Sequence, residues 1–253
     1  SQDNNSNDVE SLKKIIKEQR AKGATVSEDI TNRDEYYWFE GKLCGIHWDE
    51  KNLTGNLDLT TLTSLTALSC QQNQLTEVKI SNNANLQSLA VAQNQLTNLD
   101  LSISNKANLK WLWCQDNKLT SLDVSNSTLL QDLSCSNNQL TNLNIENCVS
   151  ITEISCYGNQ LTNLDISNCT SLIEIDCGEN QLESLDVFQN VLLEYLNCGN
   201  NNLSYLNVTQ NSQLHFLNCG ANELTDLDVS NNTSLTGLGC YQNKLKDLNI
   251  SNN

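Results

Sequence analysis

The chain has 253 residues, of which 30 are acidic and 14 basic, a formal net charge of −16. That balance excludes a nucleic-acid binder of the usual electrostatic kind, because phosphate contacts need clustered Lys and Arg. No apolar run approaches the roughly 18 residues of a membrane span, and 38% apolar residues is low for a compact, roughly spherical core but leaves room for a thin, long one.

The leading SQDNNSND is polar throughout, and residues 1–7 read as a disordered tether. Residues 8–22 carry Val9, Leu12, Ile15 and Ile16 on one side, with Gly23 after them. This pattern predicts an amphipathic helix capped by Asn7 or Asp8. Together with Tyr36, Tyr37, Trp38, Phe39 and Trp48 the helix is expected to cover the first turn of the region that begins at residue 53, so that residues 8–52 form an N-terminal cap. Cys44 stands alone in that cap and is expected as a buried free thiol.

From residue 53 the chain repeats itself. Eleven cysteines lie along the sequence, and from Cys114 to Cys240 seven of them step by 21 residues. Aligned on that step, nine copies begin at Leu65, Leu86, Leu109, Leu130, Ile151, Leu172, Leu193, Leu214 and Leu235, after a partial copy at 53–62. Each reads LxxLxCxxNxL followed by xxLxV or xxLxI and a polar turn, and the second copy has two extra residues in the turn at 102–108. A fixed period of this length marks a solenoid, in which no copy buries its apolar face alone and neighbours stack to share one interior. The alternation around LxxLxC predicts a strand in each copy, pairing in parallel with the next. The second half of each copy repeats the same spacing and predicts a second extended segment on the opposite wall.

Every copy carries Asn three residues after the cysteine position, from Asn73 to Asn243. The chain must leave the strand there, and an amide offers both donors and acceptors to the turn, so these residues read as a structural ladder. Cys70, Cys114, Cys135, Cys156, Cys177, Cys198, Cys219 and Cys240 share one inward column with Val91, which marks the column as small and apolar instead of reactive. Parallel neighbours hold their Cβ atoms too far apart for disulfides, and a column of thiols offers zinc no tetrahedral centre. Cys148 and Cys169 form a second, shorter stack in the turn, where other copies have Asn or Ser. On the second wall, Asp100, Asp123, Asp165, Asp186 and Asp228 with Asn144, Asn207 and Asn249 are expected to accept from turn amides.

Function is expected where the outward positions break the monotony. Asp132, Glu153 and Glu174 stack on adjacent strands, and like charges opposite one another in a sheet are unfavourable. Exposed aromatics flank them in sequence, with Trp111 and Trp113 before and Tyr195 and Phe216 after, while Tyr157 and Tyr241 project from the turn after the strand. Gly178, Gly199 and Gly220 line that turn and are expected to leave its backbone open to approach. Asp176 completes the set of candidate ligand-binding residues. Large aromatics on an outward face are enriched at interface centres, which points to a protein or glycan partner. Calcium at Glu153, Glu174 and Asp176 is disfavoured, because carboxylates on a flat face rarely supply six oxygens. No metal and no cofactor is expected. No GxSxG, HExxH, P-loop or GxGxxG occurs, and carboxylates on one open sheet do not face across a cleft, so no catalysis is expected.

The repeat LxxLxCxxNxLxxLDVSxN, as in Leu214 to Asn231, resembles the leucine-rich repeats of bacterial surface proteins, specifically the 21-residue cysteine-ladder type of internalin J and its relatives. The resemblance covers residues 53–253. It implies a right-handed solenoid, an extracellular cell-surface setting, and adhesion or binding to a host or neighbouring-cell protein or glycan through a concave parallel sheet. The leading segment resembles the tether that comes after the lipid-modified cysteine of a bacterial lipoprotein, which implies a lipid anchor upstream of residue 1. The competing reading is a spacer with no ligand of its own.

Overall fold

The computed structural model describes residues 4–253, in two compact units that meet in sequence between Leu119 and Thr120. The first unit opens with helix α1 (Ser6–Ala21), which starts two residues earlier than its apolar pattern predicts. Its cap is Asn5, whose side-chain oxygen accepts from the backbone N–H of Asn7 at 3.0 Å and of Asp8 at 3.1 Å. This corrects the expected cap at Asn7 or Asp8. An amide at Asn5 satisfies two of the helix's orphan donors. Asp8 is instead buried, and its carboxylate accepts from the Leu43 N–H at 3.0 Å, tying the helix to the next hairpin. Residues 5–7 therefore belong to the helix and its cap, while residues 1–3 of the expected tether lie outside the described residues.

The hairpin pairs β1 (Tyr36–Phe39) antiparallel with β2 (Lys42–His47). Tyr36 and Trp48 are buried and meet edge to face with ring centroids 6.0 Å apart. Tyr37 and Phe39, expected to join them, are 59% and 55% exposed. Alternate residues of a strand point to opposite faces, so one strand cannot turn all four aromatics inward. Cys44 is half-buried and not fully buried as expected. Burial still raises its thiol pKa above the ordinary value.

The repeats then begin. In the first unit β3 (Thr54–Asp58), β4 (Ala67–Ser69), β5 (Gln74–Lys79) and β6 (Ser88–Ala90) are followed by the short helix α2 (Ile103–Asn108) and β7 (Trp111–Trp113). Strands β2, β4, β6 and β7 pair in parallel, and β3 pairs in parallel with β5 on the second wall. The extra residues of the second copy form α2, closed by a capping box in which Asn105 N–H donates to Ser102 Oγ and Ser102 N–H donates to Asn105 Oδ1.

The second unit holds β8 (Ser121–Asp123), β9 (Asp132–Ser134), β10 (Asn142–Asn144), β11 (Glu153–Ser155), β12 (Glu174–Asp176), β13 (Tyr195–Asn197), β14 (Phe216–Asn218), β15 (Asp226–Asp228), β16 (Gly237–Gly239) and β17 (Asp247–Asn249). Strands β9, β11, β12, β13, β14 and β16 form a parallel sheet in unbroken register. The second wall is regular only where β8 pairs with β10 and β15 with β17. Elsewhere it is irregular, yet Leu164, Leu185 and Leu206 remain buried there. The inward leucine column, more than ladder hydrogen bonding, therefore holds this wall.

The asparagine ladder has the expected column and a definite bonding scheme. Asn159 Nδ2 donates to the carbonyl of Cys135 on the preceding rung at 3.1 Å and to that of Cys156 on its own rung at 3.0 Å, while its Oδ1 accepts from Leu140 N–H at 3.0 Å. Asn94, Asn180, Asn201 and Asn222 repeat the scheme. The residue just before each ladder Asn is left-handed, with φ between +49° and +58° from Gln72 to Gln242 except at Gly158. Such a conformation costs about 1 kcal/mol for a non-glycine residue, and the amide bonds across the turn oppose that cost.

A second ladder went unread in the sequence. Asn83, Asn105, Asn190, Asn211 and Asn232 are fully buried in the opposite turn, and each donates to two carbonyls of the rung before, as Asn211 does to Val187 and Asn190. Cys148 and Cys169 occupy this column. Cys148 Sγ lies 3.2 Å from the Val124 carbonyl, so a thiol substitutes where the site asks only for a donor. The eight cysteines of the main column are free thiols and, apart from Cys240, buried. Burial pushes Cys114 and Cys219 up to about 12.

Candidate binding surface

The sheet register brings the candidate residues of the second unit together as the repeat requires. Asp132, Glu153 and Glu174 are successive cross-strand partners, followed by Tyr195, Phe216 and Gly237. Glu153 sits between two carboxylates, and partial desolvation followed by the charges of Asp132 and Glu174 raises its pKa. The Tyr195 and Phe216 rings stack face to face, 4.7 Å between centroids and 9° between planes. Phe216 continues over Gly237, where a Cβ would lie 2.9 Å from its Cδ2. Tyr195 and Phe216, and likewise Trp111 and Trp113 in the first unit, are half-buried and not exposed as expected. In a parallel sheet with strands about 4.8 Å apart, a large side chain leans on its neighbour's side chain or on the gap that a small neighbour leaves.

The turn after the strand differs more. Gly178, Gly199 and Gly220 are buried, which corrects the expectation of an open backbone. Tyr157 lies over Gly178, Tyr241 over Gly220, and the Asn218 amide over Gly199. Their missing side chains make room for neighbours from adjacent rungs. Asp176, Asn197 and Asn218 each accept from the N–H of the glycine two residues on, at 3.1, 3.0 and 3.0 Å, so one oxygen of Asp176 is committed to the turn. Burial is the first cause of the raised pKa of Asp176. The Tyr157 hydroxyl hydrogen-bonds to Glu179, which raises its pKa, and Tyr241 is 54% exposed.

Two features were not read from the sequence. In the first unit, Tyr37 and Trp113 line a cavity of about 300 Å³ that also includes the small residues Gly45, Ala67, Ser88 and Ala90. The run of small outward residues ahead of Trp111 and Trp113 was the available signal. In the second unit, residues 120–243 contain 14 Asp and Glu and not one Lys or Arg. The acidic stack thus has no basic neighbour along that whole stretch of chain, and His215 beside Glu194 at 3.6 Å is its one histidine.

A free-thiol column and an amide ladder, both stepping by 21 residues along a parallel sheet, decide the type of repeat. The chain is a cysteine-ladder leucine-rich-repeat protein. It is similar to the functional domain of InlJ from Listeria monocytogenes, which includes a cysteine ladder, with 34% identity and a TM-score of 0.75 over 82% of this chain and 48% of that one. It is also similar in fold to YopM from Yersinia enterocolitica WA-314, with 24% identity and a TM-score of 0.67 over 81% of this chain and 44% of that one. The internalin InlF from Listeria monocytogenes matches over 94% of this chain and 87% of its own, with 19% identity and a TM-score of 0.53. These last two likenesses concern the fold alone. The leucine-rich-repeat chain spans about half the length of the InlJ structure. A model of the LVIVD repeat matches residues 154–177, a single step of the array running from β11 to β12. The search of curated proteins returns no match. No helix among the described residues is long and apolar enough to cross a membrane.

Proposed function

We propose that this protein is an extracellular, cell-surface binding or adhesion module that contacts a protein partner through the sheet wall of its repeats. The observation that carries the reading is the second unit's outward column. Three carboxylates and a stacked aromatic pair occupy consecutive strands on a stretch of chain without a basic residue. Stacked like charges cost stability, and half-buried aromatics on an outward face cost solubility, so the column is better suited to a surface that a basic, partly apolar segment covers. Similarity to the functional domain of InlJ supports the same reading. The ladders, thiols and buried glycines set the spacing of the wall and take no part in contact.

The test is panning of a random peptide library displayed on phage against the immobilised protein. Enriched sequences should pair Arg or Lys with aromatic residues. They should bind about tenfold more weakly to a Tyr195→Ala, Phe216→Ala variant and to a Glu153→Gln, Glu174→Gln variant, as expected for hot-spot losses of at least 1.4 kcal/mol. Equal binding to all three proteins, or no enrichment at all, would leave the spacer reading in its place. Retention of glycans on an array, with no peptide enriched, would assign the wall to carbohydrate.

A further inference from the structure

The second wall of the second unit has its own break in pattern. Two residues after each Asp or Asn of that wall the chain carries a small polar residue in most copies, as at Ser125, Ser167, Thr209, Ser230 and Ser251. In the most complete cases both the N–H and the hydroxyl of that residue donate to the acid or amide, as Ser167 does to Asp165 and Ser230 to Asp228. At Asp186 the partner is Phe188. Its N–H donates to Asp186 Oδ1 at 2.9 Å, but it brings no hydroxyl, and its ring is 52% exposed. On the next rung Tyr205 stands where the neighbouring copies have Ser184 and Asp226, and it is 69% exposed.

Between them lies a cavity of about 420 Å³ lined by Glu183, Leu185, Asp186, Phe188, Tyr205 and Asn207. Two aromatic rings, two carboxylates and one amide therefore line a groove on the wall opposite the sheet, in the stretch that has no Lys or Arg. An aromatic face attracts a cation through its quadrupole, and a planar guanidinium can stack on a ring while donating to a carboxylate. Asp186 lines the groove and, spared the hydroxyl bond that Asp165 and Asp228 accept, retains acceptor capacity. We infer that this groove binds an arginine side chain of a protein partner, a second contact on the opposite wall from the sheet. It is independent of the sheet-wall reading, since none of its residues belongs to that wall.

The probe is N-acetyl-arginine amide, with N-acetyl-citrulline amide as its neutral counterpart of nearly equal shape. The readout is the fluorine spectrum of the full chain labelled with 3-fluorotyrosine. The chain has six tyrosines, and a Tyr205→Phe variant assigns the resonance of interest. The arginine compound should shift the Tyr205 resonance saturably, while the citrulline compound shifts it far less. Phe188→Ser, which returns the residue type of the neighbouring copies, and Asp186→Asn should each weaken the effect by about threefold. Tyr195→Ala should leave it unchanged, which separates this groove from the sheet wall. An equal response to citrulline would overturn the inference, as would a response retained in both variants or no response up to the solubility of the compound. So would a preference for methyl β-glucoside over the arginine compound, which would assign the groove to carbohydrate.

Discussion

Replacing Asn159 by Ala tests the ladder that fixes the wall on which the candidate residues stand. The side chain makes three hydrogen bonds of 3.0 to 3.1 Å in a buried turn. Its loss leaves the Leu140 N–H without its partner and removes a donor from the Cys135 and Cys156 carbonyls. Each carbonyl keeps the amide of a neighbouring rung, Asn138 on Cys135 and Asn180 on Cys156, so only the Leu140 N–H is left unpaired. At about 2 kcal/mol for that buried donor and about 1 kcal/mol for each of the two lost bonds, the change should cost about 4 kcal/mol, a large part of the roughly 5–15 kcal/mol that holds a domain. With a urea dependence near 2 kcal/mol per molar, the midpoint should fall by about 2 M. Because repeat arrays can unfold in segments, the Leu140 amide should be followed by hydrogen exchange in the same protein, where its protection should collapse first. Asn159→Asp sharpens the argument. It keeps the acceptor for Leu140 but sets an anionic oxygen against two carbonyls, so it should be at least as damaging at neutral pH and should partly recover in acid, when the protonated carboxyl regains one donor. As a control, Asn168→Ala removes an exposed amide whose oxygen accepts from Asn147 N–H at 3.3 Å, and it should stay within about 0.5 kcal/mol of the parent. An Asn159→Ala protein within about 1 kcal/mol of the parent, with Leu140 still protected, would refute the ladder as a stabilising element.

Iodoacetamide applied to the native protein at mildly alkaline pH should modify Cys44 and Cys240 first, the two thiols with partial exposure, and leave Cys114 and Cys219, held near 12, unmodified on intact-mass and peptide analysis. Glu153→Gln should stabilise the protein at neutral pH by about 0.5 kcal/mol, the scale of one like-charge pair in a sheet. The sign follows from its raised pKa: the ionised form is the penalised one in the folded chain, so the gain should be present above that pKa and vanish as the pH falls below the usual carboxylate range and both states become neutral. Thermal melts at pH 7 and pH 3 check it, and a gain that persists in acid would mean that packing, not charge, is responsible.

Most of the rung architecture was legible in the sequence because a solenoid copies by translation. Once the 21-residue step is seen, Asp132, Glu153 and Glu174 must be neighbours, and so must Cys156 and Cys177, whatever the details of the coil. The inward leucines, the thiol column, the Asn ladder and the outward aromatic column all follow from that one regularity. The N-terminal cap follows less well, since it has no copy to be compared with: its helix was visible, its capping residue was not, and of its four clustered aromatics only Tyr36 turned out to be buried.

What only the tertiary structure decided is where side chains go between rungs. Gly178 and Gly220 read as open backbone until Tyr157 and Tyr241 are seen lying over them, and Asp176 reads as a carboxylate with both oxygens free until one of them is found accepting from Gly178. The second amide ladder was hidden because Cys148, Cys169 and Ser127 interrupt it, and at Cys148 the substitution makes sense only once the site is seen to use the donor alone. The groove beside Phe188 arises from two residues 17 positions apart, Phe188 and Tyr205, on different rungs. Periodicity fixes which backbone positions are adjacent. The direction a side chain takes from such a position, and the polar atom or ring it meets there, depends on the shape and bonding of its neighbours, which no single repeat contains.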